Sequence, residues 1–326
     1  MQTLVIGDIH GCHQELLKLL EKAGLARDDA IIAVGDIVDR GPETPQVLEF
    51  FRETAHARAL MGNHESKHVR AARGELKLSA SQLISRQQFG AAYPRAVAWM
   101  VELPLYIEQP EAVLVHAYLE PGLPLNQQDQ FVLCGTMSGD KTLRERYERP
   151  WYELYDGEKP VIVGHHNYTQ TDQPFIYQDK VFGLDTNCVN GKALTGLLLP
   201  SFRFVSVPSR GNLWMQVRRD YRATLPARAT QPGPTMAWSR QDDLALAQLL
   251  ERARDANEKL LARLQSAAGY AEQTPRQQAK LYASEAGFGA FANLMQLARL
   301  EKLDLDAARR MLKEPGEVQT LLAKHP

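Results

Sequence analysis

Six side chains able to hold a cation recur just past short apolar runs. Asp8 and His10 follow Gln2-Thr3-Leu4-Val5-Ile6, Asp36 follows Ile31-Ile32-Ala33-Val34, and Asn63 follows the run 57–61. His116 closes the run 112–116, and His165 follows Val161-Ile162-Val163. Each offers an oxygen or an imidazole nitrogen and none a thiolate, a mix that suits Mn²⁺, Fe²⁺ or Zn²⁺. Six donors are too many for one tetrahedral zinc with an open position. They are about right for two metals sharing a carboxylate, and two ions about 3.5–4 Å apart can clamp the attacking and leaving oxygens of a phosphoryl displacement.

Charge points the same way. Two divalent ions bring four positive charges, of which Asp8 and Asp36 return two. The remainder attracts a phosphate and acidifies a bridging water into a nucleophile. Arg40, in Gly35-Asp36-Ile37-Val38-Asp39-Arg40-Gly41, adds a planar fork for phosphate oxygens. His64, beside Asn63, is placed to protonate the leaving alkoxide, and Asp39 to hold His64 in the right tautomer.

The runs that carry these residues leave no room for a polar face and read as strands buried on both sides. The first three alternate with helices. Leu16, Leu17, Leu19 and Leu20 mark one, stopped by Gly24, and Pro42 stands at the mouth of another near 43–53. The chemistry then falls at the carboxyl ends of strands, where open α/β sheets place their sites. Residues 66–103 read as helical, 104–108 and 112–116 as strands, and 117–160 as loop-rich with Arg144, Arg146 and Arg149. Runs near 175–177, 180–184, 193–199 and 202–206 read as antiparallel strands, with Asn190-Gly191 as a hairpin signal. Three regions are expected: a catalytic domain over 1–215, a linker over 216–238, and a helical region over 239–326. In the last, Ser239 and Asp242 make a capping pair and Leu246, Leu249, Leu250, Ala253, Leu260, Leu261 and Leu264 keep helical spacing, a stripe expected to be core or interface.

Gly-Asp-Ile-His-Gly-Cys, Gly-Asp-Ile-Val-Asp-Arg-Gly-Pro, Gly-Asn-His-Glu, Val-His-Ala and Gly-His-His occur in this order over roughly residues 1–206. They resemble the calcineurin-like metallophosphoesterases of the phosphoprotein-phosphatase branch, to which bacterial and phage serine/threonine phosphatases and diadenosine tetraphosphate hydrolases are similar. The resemblance implies an α/β fold, a two-sheet β-sandwich flanked by helices, here with an all-helical C-terminal appendage. It implies that Asp8, His10 and Asp36 hold one metal and that Asp36, Asn63, His116 and His165 hold the other. His64 would be the general acid, Asp39 its partner and Arg40 a phosphate ligand. His166 is the alternative to His165. Leu184-Asp185-Thr186 and Gly191-Lys192-Ala193-Leu194-Thr195 look like the family's closing hairpin. Three positions depart from the pattern: Met61 stands where many members have Arg, Tyr118 where Gly is usual, and the further phosphate-binding Arg is matched only by location, to Arg144 and Arg146.

The function expected first is hydrolysis of phosphomonoesters, most of all phosphoserine and phosphothreonine in proteins, by a metal-bridging hydroxide with two Mn²⁺ ions (Fe or Zn as alternatives). Diadenosine polyphosphate hydrolysis and polynucleotide end processing are the competing readings. The presence of Asp39, often Ala in the diadenosine enzymes, favours the first. A net charge of -1 gives no electrostatic footprint for nucleic acid or membrane, so neither is expected as a partner. The partner is a phosphoprotein or small phosphoester, and the helical tail is a candidate for self-association. Three widely spaced cysteines and an N-terminus that opens directly into a strand lead to a cytoplasmic expectation. His13, His56, His68 and His325 lie outside the motifs and are expected to be ordinary surface or helix residues.

Overall fold

The computed structural model describes residues 1–224, 238–287, 289–300, 302–312 and 314–325. It divides into two units, Met1–Leu225 and Pro226–Pro326.

The first unit opens with β1 (Thr3–Ile6), α1 (His13–Ala23), β2 (Ala30–Ala33), α2 (Thr44–Glu53) and β3 (Ala57–Ala59). Three helices follow, α3 (Asn63–Ala72), α4 (Ala80–Phe89) and α5 (Tyr93–Val101), then β4 (Tyr106–Glu108) and β5 (Val113–Val115). The loop-rich stretch holds α6 (Gln130–Leu133) and α7 (Met137–Arg146). The unit continues with β6 (Val161–Val163), β7 (Phe175–Tyr177), β8 (Val181–Gly183), β9 (Ala193–Leu199), β10 (Arg203–Pro208) and α8 (Leu213–Thr224).

The strands form two sheets of five, in the orders β10-β9-β1-β2-β3 and β4-β5-β6-β8-β7. β1, β2 and β3 run parallel in the first, and β5, β6 and β8 run parallel in the second. Strand alternation divides the apolar side chains between layers. Leu4 and Ile6 pack outward on the helices with Leu16 and Leu19, while Val5 turns inward. In the other sheet Leu114 and Ile162 turn inward to meet Val5, Ile32 and Leu197, and Val113, Val115, Val161 and Val163 face outward with Trp151. The fold is thus the expected two-sheet sandwich flanked by helices. Parallel strands end at one edge of their sheet, and the 2.9 Å hydrogen bond from His116, just past β5, to Val34 O, just past β2, puts the carboxyl edges of β1, β2 and β3 and of β5, β6 and β8 at the same end of the sandwich.

Two expectations are corrected. Asn190-Gly191 does not close a hairpin between neighbouring strands: β8 pairs with β6 and β7, whereas β9 pairs with β1 and β10 in the other sheet. The turn passes the chain between sheets and is held by isolated bridges, Asn187 to Ala193 and Asn190 to Asn212. The expected linker begins as helix, since 216–224 belong to α8, whose Leu213 is buried in the first unit's core. The rest of it, 225–237, lies outside the described residues.

The second unit contains α9 (Arg240–Gln265), α10 (Pro275–Ala286), α11 (Ala290–Arg299), α12 (Leu305–Leu312) and α13 (Pro315–Lys324). Ser239 Oγ accepts from the Asp242 N–H at 3.1 Å and Asp242 Oδ2 from the Ser239 N–H at 2.8 Å, the reciprocal cap the sequence proposes for α9. The leucine stripe is core: Leu246, Leu249, Leu250, Leu260 and Leu264 are buried among Tyr282, Leu294, Ala308 and Val318 of the other helices.

Candidate active site

Loops after six strands converge at the sandwich's carboxyl edge, and among the candidate site residues they carry, five adopt a backbone that side chains rarely take. His10, Asp36, Asp39, Arg40 and His165 have φ of 47°, 50°, 71°, 65° and 66°. Left-handed non-glycine residues cost energy and concentrate at functional sites. Two glycines admit the carboxylates. A Cβ on Gly62 would lie 2.2 Å from Asp36 Oδ1, and one on Gly164 would lie 2.2 Å from Asp8 Oδ1.

Backbone carbonyls fix the imidazole tautomers. His10 Nδ1 donates to Val38 O and His116 Nδ1 to Val34 O, both at 2.9 Å, which leaves each Nε2 unprotonated, with its lone pair turned into the site. His116 Nε2 then lies 3.4 Å from Asp36 Oδ1 and 3.3 Å from Asn63 Oδ1, and His165 Nδ1 lies 3.1 Å from the same amide oxygen. On the other side His10 Nε2 is 3.6 Å from Asp36 Oδ2 and 3.9 Å from Asp8 Oδ2, with Arg40 Nη1 donating to it at 2.8 Å. Asp36 stands between the two groups. His165 is tied to Asp8 through its N–H, which donates to Oδ1 at 2.8 Å.

These donors fit cations. Around Asn63 the lone pairs of a carboxylate, an imidazole and an amide face one another. Turning the Asn63 amide over would instead let its nitrogen donate to Asp36 Oδ2 and His165 Nδ1 at 3.1 Å, with the oxygen accepting from Lys67 at 3.3 Å; a cation selects the oxygen-inward orientation. Burial, Asp185 and Asp36 push the Asp8 carboxyl well above its usual range, a strain positive charge relieves. Burial lowers His10 and His116 and takes His165 down to about 3, so all three are neutral, as ligation requires. Asp36 with His116 and His165, and Asp36 with His10 and His64, form two groups compact enough to hold an ion.

His64 is arranged differently. Its Nδ1 donates to Asp39 Oδ2 at 2.6 Å, while its Nε2 is buried with no hydrogen-bond partner. Burial opposes ionisation of Asp39, but hydrogen bonds from His64 and His68 outweigh it and hold the carboxyl well below the usual range. His68 corrects an expectation. It is fully buried, its Nε2 donates to Asp39 Oδ1 at 2.9 Å, and its Nδ1 accepts from the Tyr93 hydroxyl at 2.9 Å. Gln82 Nε2 also donates to Asp39 Oδ2. Glu65 was missed as well: its carboxylate accepts from the N–H groups of Asp36, Ile37, Val38 and Gly62 at 2.9–3.1 Å, clamping the central loop.

The arginine candidates separate. Arg144 lines a cavity of about 590 Å³ that reaches His165, with its Nε donating to Asp140 Oδ1 at 3.0 Å. Arg146 is not among that cavity's walls and pairs with Glu120. Arg149, unassigned by sequence, lines it.

The profile of the calcineurin-like phosphoesterases matches residues 1–190. The chain belongs to this family. It is therefore a hydrolase acting on phosphoesters, from a family that uses divalent metal ions. It is similar to the asymmetrical bis(5′-nucleosyl)-tetraphosphatase PrpE of Halalkalibacterium halodurans, with 30% identity over 250 residues, covering 68% of this chain and 99% of that protein. The Bacillus subtilis PrpE is 29% identical over 232 residues, 63% of this chain and 93% of that one. A crystal structure provisionally described as a diadenosine tetraphosphatase shares the fold, with a TM-score of 0.51 at 24% identity over 64% of this chain and 93% of that one.

Proposed function

We propose that the protein hydrolyses bis(5′-nucleosyl) polyphosphates asymmetrically. The observation that carries this is the near-complete span of the tetraphosphatase relatives, including 99% of the H. halodurans protein, by a chain whose donors gather in two groups about Asp36. Asymmetrical cleavage of a tetraphosphate breaks an outer bridge and yields a nucleoside triphosphate and a nucleoside monophosphate. This reading replaces phosphoserine and phosphothreonine, which the motifs alone placed first.

Asp8, His10 and Asp36 would hold one metal, and Asp36, Asn63, His116 and His165 the other. Mn²⁺ is the ion proposed for this oxygen and imidazole set. Bound metals supply electron withdrawal at the phosphate and an acidified water. The chain does the rest. Arg40 swings from His10 Nε2 to the phosphate oxygens as a planar fork. The oxygen of a water whose proton has passed to solvent bonds to phosphorus as the bridging oxygen leaves, and that bridging oxygen takes its proton from His64 Nε2, the buried nitrogen without a partner. Asp39, ionised and hydrogen-bonded at Nδ1, stabilises the charged imidazole beforehand. The place proposed is the cytoplasm, where the buried thiols of Cys12, Cys134 and Cys188 stay reduced.

The test is product analysis with Mn²⁺. Diadenosine tetraphosphate should give ATP and AMP in equal amounts, at a kcat/KM above that for phosphoserine peptides. Two equivalents of ADP, or a preference for the peptides, would overturn the reading.

A further inference from the structure

Beside His165 the protein keeps a ring-lined cavity that its own folding does not fill. The cavity of about 590 Å³ lies within the roughly 300–1,000 Å³ typical of small-molecule sites. Tyr118, Tyr147, Trp151, Tyr152, His166 and Tyr168 face it, with Arg149 at its edge.

The walls are braced. Tyr118 stands edge-on to His165, centroids 5.3 Å apart at 86°, and edge-on to Trp151 at 6.3 Å and 62°. The Trp151 indole N–H donates to the Tyr168 hydroxyl at 3.2 Å, and Tyr168 stacks on Phe175 at 4.6 Å and 24°. His166 meets Tyr168 edge-on at 4.8 Å. Trp151, which lines the cavity, is only 6% exposed. Tyr147 lines the cavity, is in no ring pair among the described residues, and packs against the apolar cluster around Trp151. Arg144 is taken by Asp140, whereas Arg149 has no carboxylate partner among the described residues.

We propose that this cavity is a nucleobase subsite, taking the aromatic base of one nucleoside while its phosphates run past His165 to the cluster around Asp36. The proposal rests on the dinucleoside-polyphosphate reading and assigns its substrate a place. Rings suit this occupant because each base has a π-face, and stacking requires no particular hydrogen-bond pattern. A phosphate-linked partner without a ring would leave the walls uncovered. Arg149 is long enough to follow the ribose or the phosphate chain from the rim.

The experiment is calorimetric titration of the Mn²⁺-loaded full chain with AMP and with ribose 5-phosphate, which differ only in the base. AMP should bind about tenfold to a hundredfold more tightly, the worth of one base–aromatic stack. Tyr147→Ala should shrink that ratio toward unity and Tyr147→Phe should restore it; Tyr118→Leu is a second probe at another lining residue. Equal affinities in the wild-type protein, which need no variant, overturn the subsite. A ratio that survives both Tyr147→Ala and Tyr118→Leu places the base elsewhere and overturns it too. Turnover of diadenosine tetraphosphate is read separately: turnover with equal AMP and ribose 5-phosphate affinities sinks the subsite and leaves the function, whereas an AMP advantage without turnover sinks the function and leaves the subsite.

Discussion

His68 Nε2 lies 2.9 Å from Asp39 Oδ1, while His64 Nδ1 lies 2.6 Å from Asp39 Oδ2. One buried carboxylate is thus gripped by two imidazoles of the same helix, four residues apart, and each carboxylate oxygen has its own donor. With Tyr93 O–H donating to His68, the chain of donors runs in one direction toward Asp39. His68 reaches His64 only through Asp39, so the role proposed for it is positioning. His68→Leu should lower kcat about tenfold, at the low end of what outer partners cost. The loss should be greater on alkyl phosphates than on p-nitrophenyl phosphate, and His68→Gln, which keeps a donor, should recover part of it. Equal losses on both substrates would reduce His68 to a packing residue.

The proposed proton donor, His64, gives a sharper contrast. His64→Asn should cut turnover of alkyl phosphates by about 10²–10⁴, and far less for p-nitrophenyl phosphate, whose leaving group needs little protonation. Asp39→Asn added to His64→Asn should cost little more, because residues that act as a unit are not additive. Full additivity in the double variant contradicts the pairing.

The convergence of the candidate donors was legible because their signals are local: a few residues after a buried strand. His68 carried no such signal, standing outside Gly62-Asn63-His64-Glu65. Its spacing of four from His64 on a helix was the one clue, since i and i+4 share a face. Gln82 and Tyr93 reach Asp39 and His68 only because α4 and α5 fold against α3, which no local pattern records. The Asn190-Gly191 signal misled for a related reason. Turn chemistry reports a reversal but not which sheet receives the next strand. Composition likewise read 216–238 as a linker, although Leu213, buried in the core, anchors a helix through Thr224. Arg146 was singled out by its neighbourhood in sequence, yet Glu120 holds it.

A pair away from the site supports the fold. Glu15 is fully buried, and Arg210 donates to its Oε1 from Nε at 2.9 Å and from the backbone N–H at 3.1 Å. Burial would raise the Glu15 carboxyl, but the Arg210 hydrogen bonds outweigh it and lower it. Arg210→Ala should cost about 1–3 kcal/mol at neutral pH, since the carboxylate loses its partner while still buried. A lowered folded-state value means that the contribution is present above the unfolded value, about 4.3, and is lost as pH falls through the folded one. Urea unfolding at pH 7 and pH 3 should show the gap between wild type and variant narrowing in acid. A gap of the same size at both would contradict the ion pair's role.

The first unit's apolar clusters draw on residues up to Trp214, and the second unit's cluster draws on residues from Trp238 onward. A chain ending at Leu225 should therefore unfold cooperatively, bind Mn²⁺ and hydrolyse p-nitrophenyl phosphate within about twofold of the full chain, as a unit with its own core does. Insolubility of the shortened chain would make the helical unit necessary to the fold.

Mn²⁺ titrated into metal-stripped protein reads directly whether two ions share Asp36. Two ions should bind per chain, with hydrolysis of diadenosine tetraphosphate rising only as the second site fills. Asp36→Asn should weaken both sites and abolish turnover. Full activity at one equivalent of Mn²⁺, or an Asp36→Asn variant that keeps two ions and wild-type turnover, would contradict it.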